Sequence, residues 1–216
     1  MERYRSRSVE KKVPVPNWFF LDLGCGEGAI ARAVFDKPRT GRCRVIWGLD
    51  NDKEMVKKAK KSRMYKKVLL ADAGKIPLDD GVVDLVFSNS VLEHIKEIDK
   101  VLSEINRVLK PGGRLVFTVP SNKLGEYLGW GRLYAFIFNK KYNHYHLYDL
   151  PRWKKILGGH GLKIVKSKSY LSKEDVRHWH KLLWQQKLGL KSKNFTGYEP
   201  VRLGAGLAVV ARKKIV

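Results

Sequence analysis

The sequence predicts an α/β fold: a doubly wound, mostly parallel sheet with helices on both faces. Three observations predict it. Short, near-continuous apolar runs alternate with stretches whose apolar residues recur at steps of three and four. The first run breaks on three glycines in five residues, Gly24, Gly26 and Gly28. Acids, Asp22, Asp50 and Asp72, stand at the ends of three successive runs.

In chain order, "WFFLDL" (18–23) reads as a buried strand and "GAIARAVF" after it as a helix. "RVIWGL" is a second strand, "DKEMVKKAKKSRM" a helix and "KVLLA" a third strand. "VVDLVFS" is a fourth. A long helix is then expected from about Val91 to Leu109, with Val91, Ile95, Ile98, Leu102, Ile105 and Leu109 as one apolar stripe. "KPGG" stops it, because proline cannot continue a helix and glycine suits its end. "RLVFTVP" is a fifth strand.

After Pro120 the character changes. Residues 121–146 carry no strand signal but many aromatics, among them Tyr127, Trp130, Tyr134, Phe136, Phe138, Tyr142 and Tyr145. Asp149, with Pro151 behind it, caps a short helix. "LKIVKSKSYL" is a sixth strand, Ser172 and Asp175 open a helix in a capping-box pattern, and "GLAVVAR" is the last strand. One domain is expected over residues 18–216, with inserts at about 121–146 and 172–206 and a basic arm at 1–17, since the late strands have nowhere else to pair. Val176, Trp179 and Leu183 are expected to pack inward, Trp184 less so, with His178 and His180 on the surface and His160 at a helix end.

Composition narrows the function. A chain of 216 residues, 44% hydrophobic, can bury a sizeable core. No apolar run approaches the roughly 20 residues of a membrane span. The charged start lacks an apolar signal segment, and two cysteines, Cys25 and Cys43, form no CxxC, so a cytoplasmic protein without disulfides or zinc is expected. The formal charge of +23 suits polyanionic partners: RNA, an anionic membrane surface or phosphorylated acceptors. It is uneven: residues 123–193 hold sixteen Lys and Arg against four acids, interleaved with aromatics, a pattern that serves single-stranded RNA and membrane surfaces alike.

The glycine turn lets a ligand touch the backbone at a helix start. It lacks the Gly-Lys-Ser/Thr of a P-loop, its spacing is GxGxG and not GxGxxG, and Asp22 and Glu27 disfavour an anion. A ligand with a positive group suits it better. Asp50 is placed to take both hydroxyls of a ribose, and Asp72 to meet an adenine amino group.

"LDLGCGEG", "GLDND", "ADAGKIPLDDGVVDLVFSNSVLEHI" and "LKPGGRLVFTVP" together resemble, in order and spacing, the motifs of class I S-adenosylmethionine-dependent methyltransferases, in particular their small-molecule, ubiquinone-biosynthesis-like group. The resemblance is strong over about residues 18–120 and weak beyond. It implies a Rossmann-like seven-stranded sheet of order 3-2-1-4-5-7-6 with an antiparallel last strand. It implies S-adenosyl-L-methionine as cofactor, with Gly24, Cys25 and Gly26 against its methionine part, Asp22 near its amino group, Asp50 and Asn51 at ribose and adenine, Asp72 and Ala73 at the adenine edge, and Ser88 and Asn89 lining the cofactor where the substrate enters. It also leads one to expect a roof over the cofactor, here supplied by residues 121–146 or by a partner subunit.

The expected reaction is methyl transfer to a hydroxyl of a small-molecule or lipid/glycan-linked acceptor, aligned chiefly by orientation and helped by a general base. Candidate bases are His94, near the start of the long helix, and Tyr142, His144 and His146 in "KKYNHYHLYD". The His144-x-His146 pair has no Cys or carboxylate cluster beside it, so no metal is expected. "SNSV" lacks the Asn/Asp-Pro-Pro-aromatic motif of base-amino methylation, and neither cysteine suits cytosine C5 chemistry. An RNA methyltransferase of another type stays open, as does a non-catalytic cofactor-binding module for nucleic acid or membrane. "LGEYLGWGRLYAFIFNKK" (124–141) is either a lid or membrane-contacting segment or a buried helix completing the core.

Overall fold

The structure is a computed structural model that describes residues 18–35, 44–128, 131–187 and 204–215. The basic arm at 1–17, Cys43, Trp130, the stretch 188–203 of the second insert and the side chains of Leu183 and Trp184 lie outside the described residues. Seven strands form one sheet in the order β3-β2-β1-β4-β5-β7-β6. They are β1 (Trp18–Leu23), β2 (Arg44–Asp50), β3 (Lys67–Leu70), β4 (Val83–Asn89), β5 (Leu109–Pro120), β6 (Leu162–Tyr170) and β7 (Gly206–Lys213). The first five run parallel, and β7 is antiparallel to both β5 and β6. This is the order and sense that the motif likeness implied.

The helices are α1 (Ala29–Phe35), α2 (Lys53–Ser62), α3 (Ile98–Val108), α4 (Lys123–Tyr127), α5 (Gly131–Lys141), α6 (Leu150–Gly159) and α7 (Lys173–Lys187). Their starts follow the local chemistry. Asp52 accepts from the amides of Glu54 and Met55, and Asp149 from that of Arg152. Ser172 and Asp175 exchange side-chain and backbone hydrogen bonds across the first turn of α7. The main core lies between sheet and helices, where Ile98, Val101, Leu102, Ile105 and Val108 of α3 meet Leu21, Val86 and Leu115, and Trp153 of α6 packs on Phe117 at 5.1 Å. His160 ends α6 as expected.

Two expectations need correction. The long helix does not begin at Val91. Ser90 is left-handed (φ 51°), Leu92–His94 make one 3-10 turn, Ile95 is extended, and α3 starts only at Ile98. The cause is competition for carbonyls. The Glu93 carbonyl accepts from the Tyr145 amide at 2.8 Å, and the Ile95 carbonyl meets His146 Nε2 at 2.7 Å. A helix would need both oxygens for itself. At the other end Leu109 pairs with Val83 as strand.

The second correction concerns His180. It is buried, not a surface residue, because the Tyr134 hydroxyl of α5 meets its Nε2 at 2.5 Å and Phe138 packs beside it. Together α4, α5 and α7 build a second, smaller core of Leu124, Leu128, Phe138, Val176 and Ala205, with Trp179 against it. Helix α5 is buried on that side only. Its Leu133, Phe136 and Ile137 are 73%, 64% and 53% exposed.

Candidate cofactor and acceptor sites

A cavity of about 560 Å³ opens beyond the carboxyl ends of β1, β2 and β3, where strand order reverses between β1 and β4. Ligands of open parallel sheets bind at such switch points, and the volume suits a nucleoside-sized molecule. Gly24, Asp50, Asn51, Asp72 and Ala73, all singled out in the sequence, line it. So do Gly74, Ser90, Val91, His94, Lys96 and Tyr145.

The backbone explains the first glycine. Gly24 has φ +71°, and a Cβ there would run into Val91 Cγ2. Only glycine lets the turn pass this close to the segment after β4. Its amide, with that of Cys25, donates to the Leu49 carbonyl at 2.8 and 3.0 Å, which ties the turn to β2.

Asp50 locks the same turn, accepting from the Gly26 amide at 2.8 Å and the Asp52 amide at 2.9 Å. Each carboxylate oxygen keeps a second lone pair for a ligand hydroxyl. Asp72 accepts from the Gly74 amide at 2.6 Å. The loop behind it is clamped from α3: Arg107 donates to the carbonyls of Ile76 and Leu78 and to Asp80 and Glu104, and Glu104 accepts from the Ile76 amide.

Other expected residues lie beside the cavity without lining it. Asp22 is buried under Tyr65, whose hydroxyl donates to it at 2.5 Å. Burial pushes the Asp22 carboxyl up to about 6; the Tyr65 bond pulls the other way and loses. Cys25 is buried, and desolvation with Asp22 and Asp50 nearby pushes its thiol up to about 12, so it is no nucleophile. Ser88 is fully buried, and Asn89 accepts from the Thr118 hydroxyl at 2.8 Å. The cavity wall is formed instead by Ser90 and Val91, because the chain leaves the sheet only at the left-handed Ser90.

A second cavity of about 300 Å³ adjoins the first, and the two share Ser90 and His94. Its walls come from the region after Pro120: Leu124, Phe138, Tyr142, His144, Tyr170, Val176 and Trp179. The rings of His94 and His144 lie 5.1 Å apart, and Tyr142 stacks on His144. Burial, with His94 beside it, pulls His144 down to about 4. His146 lines neither cavity; its Nδ1 lies 2.9 Å from the Tyr148 hydroxyl, and its Nε2 is held by Ile95. Tyr142, His144 and His94 are thus brought together, while His146 braces the turn before α3.

Sequence reasoning missed Glu93, which lines the second cavity at 1% exposure. Counted on a helix from Val91, Glu93 falls off the apolar stripe and onto solvent. The 3-10 turn buries it, and only the competing carbonyl bonds of 143–146 could have signalled that.

A cleft over acids at this switch point lies where the motif likeness implied a cofactor. Residues 21–117 match the family model described as a methyltransferase domain. An uncharacterized protein in transposon TN4556 of Streptomyces fradiae is 35% identical over 124 residues, 54% of this chain and 34% of that protein. A malonyl-[acyl-carrier protein] O-methyltransferase of Hamiltonella defensa is 37% identical over 98 residues, 45% of this chain and 36% of that enzyme. The matches thus span only about a third of these relatives' length. Among solved structures, phosphoethanolamine N-methyltransferase 2 of Haemonchus contortus in complex with S-adenosyl-L-methionine superposes with a TM-score of 0.65 at 19% identity, over 94% of this chain and 50% of that one. That likeness shows the fold.

The residues present fit S-adenosyl-L-methionine. Gly24 brings bare backbone to the cavity wall, and Asp50 and Asp72 offer acceptors for ribose hydroxyls and an adenine amine.

Proposed function

We propose that this protein is an S-adenosylmethionine-dependent methyltransferase acting on a hydroxyl of a small-molecule or lipid/glycan-linked acceptor. The observation that carries the reading is the pair of adjoining cavities, one over Asp50 and Asp72 and one lined by aromatics, sharing Ser90 and His94. In it, Asp50 and Asn51 hold the ribose and adenine, Asp72 and Ala73 the adenine edge, and Asp22 with the glycine turn the methionine end. His94 stands between the two cavities, and helices α4, α5 and α7 with the 142–145 segment close over the acceptor. When bound, the cofactor supplies an activated methyl group; the chain's work is to orient the acceptor and keep water out. The O-methyltransferase in the name of one curated relative, with its carrier-linked acceptor, supports an oxygen acceptor presented by something larger.

A membrane-borne acceptor is favoured by α5. One side of it, with Phe138, walls the acceptor cavity, while Leu133, Phe136 and Ile137 face outward beside Lys140 and Lys141. Apolar residues flanked by lysines suit the surface of an anionic bilayer. Among the described residues no helix is long and apolar enough to cross one.

The test is methyl transfer from labelled S-adenosylmethionine into lipid extracts and into RNA, with sedimentation against anionic and neutral vesicles. Label in lipid, and vesicle binding lost when Leu133, Phe136 and Ile137 become serine, is the expected result. Label in RNA, with affinity falling steeply with salt, would move the reading to an RNA methyltransferase. Cofactor binding without transfer to any acceptor would favour a non-catalytic module.

A further inference from the structure

The second cavity holds one group that nothing described so far uses. Glu93 is buried on the cavity wall, and its Oε2 has no hydrogen-bond partner among the described residues. Leaving a buried carboxyl oxygen unpaired is costly, so a proton-bearing partner from outside is the natural complement. Its other oxygen, Oε1, lies 3.7 Å from His94 Nε2. The Nδ1 of that histidine lies 3.3 Å from the Asn143 carbonyl oxygen, which requires a proton on Nδ1 and leaves Nε2 as the open acceptor.

The rest of the lining says what the partner is not. Although the chain carries +23, no Lys or Arg lines this cavity among the described residues. A carboxylate acceptor would enter a site with no counter-charge and a carboxyl already in it. A cationic amine would have to approach against the field of the whole protein. A neutral hydroxyl on an apolar or aromatic body meets neither obstacle, and Phe138, Trp179 and Tyr170 offer it flat apolar walls.

We propose that this cavity binds a neutral alcohol or phenol and that Glu93 is the catalytic residue that takes the proton from its hydroxyl. This rests on the methyltransferase reading for the fate of the acceptor, but not for its binding. The hydroxyl oxygen forms its bond to the methyl carbon as the methyl–sulfur bond breaks, with that electron pair staying on sulfur. The hydroxyl proton passes to Glu93 Oε2. It leaves to solvent at the mouth shared by both cavities, where the His94 side chain, 39% exposed, lies 3.7 Å from Oε1. Burial supports the role by pushing the Glu93 carboxyl up to about 7, where a carboxylate is a competent base near neutral pH. The titratable groups facing it are His94, His144, Tyr142 and Tyr170, of which His144 is held neutral.

The test uses three probes with one ring system: 2-naphthol, 2-naphthoate and 2-naphthylmethylamine. They are titrated calorimetrically into the full chain, with and without S-adenosylhomocysteine. Naphthol is expected to bind in preference to the other two, and Glu93→Lys to abolish its binding while leaving S-adenosylhomocysteine affinity unchanged. In turnover of naphthol, Glu93→Gln is expected to lower kcat by at least about 100-fold with little change in KM, and to remove the rise in rate that wild type shows as pH passes about 7. Equal or better binding of naphthoate or of the amine, no binding of naphthol, or full activity of Glu93→Gln would each overturn the proposal. Failure of wild type to bind S-adenosylhomocysteine would instead strike the methyltransferase reading, since the naphthol titration alone needs no cofactor.

Discussion

Among the described residues two carboxyls, Glu93 and Asp22, are buried, and each makes a pH-dependent prediction. Glu93 has its carboxyl raised from 4.5 to about 7 by burial, so between those values the folded chain holds a proton that the unfolded chain has lost. Stability therefore falls as pH rises through that window. Glu93→Gln removes the charge that burial penalises. At pH 8 it is expected to stabilise the fold by on the order of 1–3 kcal/mol, read as a higher Tm, with little gain at pH 4. A variant more stable yet catalytically poorer is what a functional buried acid yields. Asp22, raised to about 6 chiefly by burial, gives the second prediction. An ammonium bound beside it would favour its ionised form, so cofactor binding below pH 6 must release a proton. Affinity is expected to climb up to about tenfold per pH unit below 6 and level off above. Calorimetry in buffers of different ionisation enthalpy measures the released proton directly; no proton release at pH 5 would remove Asp22 from the amino-group role.

At the scale of elements, the site hangs on two turns. The glycine turn after β1 approaches the segment after β4 so closely that Gly24→Ala would drive a methyl group into Val91 and strain a left-handed residue. The expected cost is about 1–3 kcal/mol of stability with loss of cofactor binding, checked by denaturant unfolding and by titration. That turn was legible in the sequence, as were the strands, the caps at Asp149 and Ser172 and the acids at the strand ends, because each rests on local spacing and local hydrogen bonds. The turn at Ser90–Glu97 was not. Its apolar residues keep helical spacing, and only the distant Tyr145 amide and the His146 ring, by claiming the carbonyls of Glu93 and Ile95, break the helix. Burial of Glu93 and of His180 is hidden for the same reason: each depends on α5 and the segment after it folding back from far along the chain.

For the whole molecule, the two halves of the chain divide the labour. The segments that follow β1 to β4 present the first cavity, and the aromatic, basic second half closes a second cavity against it, with β6 and β7 anchoring that half to the same sheet. Whether the cavity above Asp50 is a cofactor site is decided by calorimetric titration of S-adenosylhomocysteine into wild type and Asp50→Ala. Micromolar binding by wild type, about −8 kcal/mol, is expected. Binding too weak to detect is expected in Asp50→Ala, which loses the proposed ribose acceptor together with the bond holding the Gly26 amide. Binding of equal strength in both proteins would contradict the cofactor assignment.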